Sequence, residues 1–388
     1  SGGGGVYRSA NGGQTWETGI GNTAGLTVMS ARFVPGSSND ILIGAEALGV
    51  YRSTNAGGTF SASSNGIREL NTVAISAHPT NPRELAIVYL GENVGGVMRS
   101  LDGGQTWQTE ALPGIRAAAI AYSPNGTLYA ISDGSTTAPE GLYRREANGA
   151  WTYLGPNQGP LYESELEVIA FDPQQPQTIL VAGADFGNGN EPTVWRTTDG
   201  GANWSKRYEG PVNGGRIFDL EFTSGGVVIA AFDGNQGGVL RSANGGLDWA
   251  PAMQGLSSYT RAPRVCRAPD GQLWLTAWIQ FTVSALYRSS DQGVNWQMVP
   301  TPGGNVNDIA CDPNDADSFY FVYGQDPWVT RTRDSAASFE AFSQGIDDLG
   351  DNGSVLVPAH GRLLIASPRG VLQSPWLDQI FTGSFEAP

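Results

Sequence analysis

The chain is poor in the residues on which much catalytic and metal chemistry depends. Its 388 residues hold two histidines, two cysteines and one lysine, Lys206. His78 and His360 fall at predicted first-strand turns or strand ends, so a Ser-His-Asp relay or a histidine metal site has little to be built from. No apolar run reaches the roughly 18 residues that a membrane-spanning helix needs, and no stretch has the period of a long amphipathic helix. Positive charge is scarce too: 22 Lys and Arg face 37 Asp and Glu, a formal net charge of −15. That balance argues against nucleic acid, which demands a basic surface. It favours solubility and cationic or basic partners. Cys266 and Cys311 lie on predicted innermost strands of consecutive repeats. They sit one register apart relative to Pro269 and Pro313, which aims them at facing sides of neighbouring units. One disulfide or two buried thiols would satisfy that placement.

What the chain has in quantity is glycine, 54 residues, and proline, 23, as a protein of many short strands and turns requires. They are periodic. The stretch Gly5-Val6-Tyr7-Arg8-Ser9-Ala10-Asn11-Gly12-Gly13-Gln14-Thr15-Trp16 returns from Gly96 to Trp107 and from Gly238 to Trp249, with weaker copies beginning at Gly49, Gly141, Thr193, Ala285 and Trp328. Its arginine sets the register: Arg8, Arg52, Arg99, Arg144, Arg196, Arg241, Arg288 and Arg331, at gaps of 44, 47, 45, 52, 45, 47 and 43 residues. Self-similarity at this period marks a repeat architecture. Within a copy, a short alternating run reads as a strand. Asn or Asp followed by Gly-Gly then supplies the positive-φ positions of a tight turn. An aromatic packs over that turn: Trp16, Phe60, Trp107, Trp151, Trp204, Trp249, Trp296 or Phe339.

The pattern resembles the Asp-box (BNR) repeat, Ser-x-Asp-x-Gly-x-Thr-Trp. Asp102, Asp199 and Asp291 match its aspartate, Asn11, Asn55 and Asn244 replace it with a similar acceptor, and the Glu146–Trp151 copy is degenerate. The resemblance covers nearly the whole chain and implies a structural turn. Each repeat reads as four strands, in the second Thr27–Phe33, Ile41–Gly44, Val50–Ser53 and Thr59–Ala62. Four antiparallel strands per even repeat predict an all-β single β-propeller. Seven full repeats begin near Thr27, Thr72, Arg116, Leu166, Ile217, Pro263 and Asn305. The N-terminal strands Val6–Ser9 and Thr15–Glu17, joined to C-terminal strands Ser354–Pro358 and Arg362–Ser367, with Gly370–Ser374 as a further candidate strand, would share an eighth blade and close the ring. Eight blades is the expectation, with seven as the alternative, and the propeller is expected over residues 1–376. Residues 377–388 form a tail without repeat character, and Ile380 to Glu386 is similar to short C-terminal tails of some exported Gram-negative proteins. With a chain opening mid-repeat, this predicts a secreted, periplasmic or cell-surface bacterial protein, its signal peptide removed, more readily monomeric than oligomeric.

With the box turns on one rim, the second-to-third-strand loops open on the other. They carry acids and aromatics: Glu46, Glu92, Asp133, Asp185, Phe186, Asp233, Trp278, Asp326 and Trp328. Crowded carboxylates raise one another's pKa, which suits cation capture or acid–base work, while tryptophans offer sugar-stacking platforms or pack against loops. The segment Glu46-Ala47-Leu48-Gly49-Val50-Tyr51-Arg52 resembles the Asp-Val-Gly-Gly-Ala-Tyr-Arg segment of xyloglucan-cleaving glycoside hydrolases, built from Asp-box propellers. That likeness implies a catalytic role for Glu46. Glu92 to Arg99 is similar, with Asn93 where the acid stands. Glycosidases need two carboxyls about 5–10 Å apart, and Glu92, Asp185 or Asp233 are the candidates to partner Glu46. In those enzymes the second carboxylate sits on a second propeller, whereas one propeller is the expectation for this sequence. Sialidases share the box, but Arg216-Ile217-Phe218 is the nearest match to their Arg-Ile-Pro, making this a minor alternative. Sortilin-type receptors and photosystem assembly factors share the repeat as binding proteins. The sequence therefore predicts a propeller that binds a polysaccharide or protein partner through its acidic face, with glycoside hydrolysis as the alternative. No cofactor is expected, except that Asp347, Asp348 and Asp351 form a candidate calcium site.

Overall fold

A computed structural model describes residues 28–373 except 34–40, 46–48, 57, 63–70, 91–94, 105, 115–116, 133–137, 156–163, 186–188, 212–213, 234–237, 258–259, 280–282, 300, 302–305, 324–328, 342–354, 360–361 and 368–369. All its sheets are antiparallel meanders. The N-terminal sheet holds β1–β4 (Val28–Phe33, Ile41–Ala45, Gly49–Ser53, Ser61–Ala62). The first blade holds β5–β8 (Asn71–Ala77, Leu85–Leu90, Gly95–Ser100, Gln108–Glu110) and the second β9–β12 (Ala117–Tyr122, Leu128–Ser132, Gly141–Arg145, Trp151–Gly155). The third holds β13–β16 (Ser164–Phe171, Ile179–Asp185, Glu191–Thr197, Ser205–Glu209) and the fourth β17–β20 (Arg216–Phe222, Val228–Asp233, Gly238–Ser242, Ala250–Pro251). The fifth holds β21–β24 (Thr260–Arg267, Leu273–Ile279, Val283–Ser289, Gln297–Val299) and the sixth β25–β28 (Val306–Cys311, Phe319–Tyr323, Val329–Thr332, Glu340–Ala341). Last comes a three-stranded sheet, β29–β31 (Val355–Ala359, Arg362–Ser367, Gly370–Gln373).

The first strands β5, β9, β13, β17, β21 and β25 pack side by side in that order, and β29 packs on both β25 and β5. The fold is therefore a propeller of six complete four-stranded blades, with the three-stranded sheet in the gap between sixth and first. This corrects the expectation of eight blades, or seven, and of a blade shared by the two ends. The C-terminal strands take the candidate third strand, Gly370–Gln373, and among the described residues they pack on β5. Among the described residues the strands of the N-terminal sheet pack chiefly on one another. The expected strands Val6–Ser9 and Thr15–Glu17, and the tail 377–388, lie outside the described residues.

Burial explains the strand sequences. Second strands are covered on both faces by neighbouring blades, and β14 (Ile-Leu-Val-Ala-Gly-Ala-Asp) is buried at every position, so it reads as an unbroken apolar run. The outer strands β8 and β20 are largely exposed. Between blades the core is continuous, as where Leu180 and Ala182 of the third blade meet Ile217, Leu220 and Phe222 of the fourth.

The box turns behave as their sequence requires. In the first blade the Asp102 carboxylate accepts from Thr106 N at 2.9 Å and from Ser100 Oγ at 2.8 Å, while Gly104 N donates to Ser100 Oγ at 2.7 Å. Asp199, Asp291, Asn55 and Asn244 accept the equivalent backbone N–H at 2.8–3.0 Å. Trp107 and Trp296 are buried beside their turns, and Trp204 and Trp249 half-buried. Asn11 and Trp16 lie outside the described residues. Successive turns are also clamped to one another. Arg196 Nε donates to Gly245 O in the next blade's turn at 2.7 Å, and Arg241 Nε to Gln292 O at 2.8 Å. In the other direction, Trp204 Nε1 donates to Leu154 O of the preceding blade and Trp296 Nε1 to Ala252 O. A disulfide between Cys266 and Cys311 ties β21 to β25, with Cα atoms 5.7 Å apart.

Candidate functional site

The rim opposite the box turns is where second strands end and third strands begin. Asp185, Asp233 and Trp278 stand there at or near the ends of β14, β18 and β22, on three consecutive blades. Their surroundings differ. Asp185 lies across from Ser164 and Glu191. Asp233 lies across from Arg216, whose Nη1 is 2.9 Å from Glu167 Oε1. Trp278 is half-buried, and its Nε1 donates to Val306 O of the sixth blade at 3.3 Å.

The richest chemistry is on one face of the third blade. Residues pair across β14, β15 and β16 in rows: Asp185 with Glu191, Gly183 with Thr193 and Glu209, Val181 with Trp195 and Lys206. Residues two apart on a strand share a face, so three carboxyls, a threonine, a tryptophan and the chain's single lysine converge. Lys206 Nζ lies 3.1 Å from Glu209 Oε1, 3.7 Å from Asp185 Oδ2 and 5.5 Å above the Trp195 ring. The Glu191 carboxyl stands beside those of Glu209 and Asp185. Burial, then Glu209 and Asp185, hold the Glu191 carboxyl above its ordinary range, against Lys206.

A second set of charges lines the seams between first strands. A β-bulge recurs near the start of the first strand, between Leu166 and Val168, Ile217 and Asp219, and Val306 and Asp308. Bulges re-aim side chains and disrupt the local ladder; Glu167 is the extra residue in the third blade. Across the seams Arg267 Nε meets Glu221 Oε1 at 3.3 Å, Arg264 Nε meets Asp308 Oδ1 at 3.2 Å, and Asp219 Oδ2 accepts from Val265 N at 2.9 Å. Burial, then neighbouring Asp219, push the Glu221 carboxyl up to about 7, with Arg267 opposing. Burial also raises Asp219, against Arg264. These groups join blades and are already occupied with one another.

Of the sequence-predicted site residues, the structure therefore brings Asp185, Asp233 and Trp278 to one rim. Glu46, Glu92, Asp133, Phe186, Asp326 and Trp328, and the candidate calcium residues Asp347, Asp348 and Asp351, lie outside the described residues. Among the described residues no group of three or more His, Cys, Asp or Glu side chains is disposed to hold a metal, and no helix is long and apolar enough to cross a membrane. Sequence reasoning missed the part played by Lys206 and Glu209. They lie on an outer strand, Ser205-Lys206-Arg207-Tyr208-Glu209, that reads as a solvated edge. The one available signal was the singularity of Lys206.

Comparison with known proteins supports the architecture. No family model matches the chain. Over 261 residues it is 27 % identical to a xyloglucanase of Acetivibrio thermocellus, a match covering 56 % of this chain and 30 % of that enzyme. Over 285 residues it is 24 % identical to a xyloglucanase of a Paenibacillus species, covering 66 % of this chain and 23 % of the enzyme. The chain thus spans less than a third of the length of these relatives. Among solved structures it is similar in fold to YCF48 from Cyanidioschyzon merolae, with a TM-score of 0.55 at 17 % identity over 79 % of this chain and 95 % of that one. It is also similar to a streptogramin B lyase, with a TM-score of 0.56 at 12 % identity over 81 % and 96 %. At such identities the likeness speaks of fold alone.

Proposed function

We propose that this chain is a glycan-binding β-propeller whose ligand lies across the rim opposite the box turns. The observation that carries the reading is the placement of Asp185, Asp233 and Trp278 at one rim on consecutive blades. Carboxylates accept from sugar hydroxyls, and an indole offers a flat apolar face for a pyranose ring. The xyloglucanase relatives favour a β-linked plant-type polysaccharide as the ligand class. The disulfide suits an oxidising compartment, in keeping with a secreted protein that meets such polymers outside the cell. Titration calorimetry with xyloglucan, cellulose and mixed-linkage oligosaccharides tests the reading. Binding to one of them that weakens at least tenfold in Trp278→Ala supports it; no heat with any of them sinks it.

Hydrolysis is the second reading, favoured by the Glu191 carboxyl, whose pKa burial and the neighbouring Glu209 and Asp185 push up, the direction a general acid needs. Glu46, by its resemblance to the xyloglucan-cleaving segment, is the candidate for a further carboxylate. Mass spectrometry of the same oligosaccharides after incubation separates the readings. Shortened products from the native chain that vanish in Glu191→Gln or Glu46→Gln would make it a glycosidase, and intact oligosaccharides would leave binding alone.

A further inference from the structure

We infer that the third-blade cluster is a site for a primary ammonium carried by an amino sugar, and that Lys206 holds that site in the unliganded protein. This rests on the glycan-binding reading and narrows it to saccharides with free amino groups.

The first observation is what surrounds Lys206. Two carboxylates, Asp185 and Glu209, and the face of Trp195 enclose its ammonium at 3.7, 3.1 and 5.5 Å. Carboxylates beside an aromatic face are a recognition set for a compact ammonium. All other cationic side chains here are arginines, whose planar fork suits a different geometry. Glu191 stands across from Asp185, so three carboxyls gather around this lysine.

The second observation is independent of charge. Thr193 is 0 % exposed, and its Oγ1 has no hydrogen-bond partner among the described residues. An unmade hydrogen bond to a buried hydroxyl costs about 1–3 kcal/mol. Thr193 projects from the same face, between the Asp185–Glu191 row and the Trp195–Lys206 row, with Gly183 and Glu209 as its cross-strand neighbours. Gly183, buried like the rest of β14, contributes no side chain to that row. A sugar amine or an adjacent hydroxyl placed there would supply the missing partner. Lys206 sits on an outer strand with 29 % of its side chain exposed, on a stem of four methylenes that swings aside without moving the backbone. It is thus an internal competitor for the position.

The test compares three β-1,4-linked oligosaccharides of equal length by calorimetry at pH 6: glucosamine, N-acetylglucosamine and glucose. A lysine-containing peptide of the same charge is run beside them. The native chain is expected to bind the glucosamine oligomer at least tenfold tighter than the N-acetylated one. Lys206→Met, which removes the competitor, is expected to tighten glucosamine binding at least fivefold further and leave the glucose oligomer unchanged. Asp185→Asn should abolish the preference. Equal affinity for amino and N-acetylated oligomers, or no tightening in Lys206→Met, overturns the inference while glucose-oligomer binding keeps the wider glycan reading alive. Loss of binding to every saccharide, with the peptide bound and tightened by Lys206→Met, overturns both. Native-like circular dichroism and melting of each variant keep misfolding apart from these outcomes.

Discussion

Reducing the Cys266–Cys311 bond should loosen the molecule by an amount that chain statistics fix. The two cysteines are 45 residues apart, so the cross-link closes a loop of about one blade in the unfolded chain. The entropy removed from an unfolded loop of that length corresponds to about 4 kcal/mol at 25 °C. Unfolding entropy of about 2.1 cal/mol/K per residue, over 388 residues, gives about 0.8 kcal/mol/K. Dividing the two, reduction should lower the melting temperature by about 5 °C. The assay is calorimetric or fluorescence-monitored melting with and without a phosphine reductant. Cys266→Ala/Cys311→Ala serves as the control. Cys311 is buried beside Trp274 and Phe319, so the double variant also loses packing, and its absolute midpoint is not the readout. Its indifference to reductant is. A native chain whose midpoint moves by less than 1 °C on reduction, or whose thiols react with a thiol reagent before any reductant is added, would refute the reasoning.

Two further outcomes follow from the seams. Glu221, with a folded pKa of about 7 against an ordinary 4.5, binds more proton folded than unfolded. Stability should therefore fall as pH rises from about 4.5 to 7. With 30 % of the side chain exposed, the loss should be about 1–2 kcal/mol, and Glu221→Gln should flatten that slope in urea titrations at pH 4.5 and 8. Arg241→Met removes the 2.8 Å clamp on Gln292 O and should cost about 1.5–3 kcal/mol, with faster hydrogen exchange in the Gln292–Trp296 turn than in the equivalent Asp199–Trp204 turn.

Most of the blade was legible in the sequence because its determinants are local. Asn or Asp, the Gly-Gly pair and the tryptophan act within a few residues, and Asp102, Asp199 and Asp291 make the contacts their spacing dictates. The facing of Cys266 and Cys311 was legible for the same reason: both positions are counted from a proline turn in the same repeat. Blade number was not local. It depends on which first strand the C-terminal strands meet, and nothing in Val355–Ala359 distinguishes β5 from β1 as a partner. The rim position of Asp185, Asp233 and Trp278 was legible because loop position predicts the rim. Lys206 and Glu209 were not, because their importance arises from a register with β15 that a bulge between Val194 and Trp195 resets.

The two rims of this propeller are under opposite constraints. On the box rim, the arginines of the third and fourth blades reach forward into the next turn, and two box tryptophans reach back to the preceding blade. A substitution there is felt by two blades at once. On the opposite rim the cross-strand pairs differ blade by blade: Asp185 with Glu191, Asp233 with Arg216, Trp278 with Ser284. Such a rim can change its chemistry one blade at a time without altering how blades dock. This is why a fold shared at 12 to 17 % identity says so little about ligand.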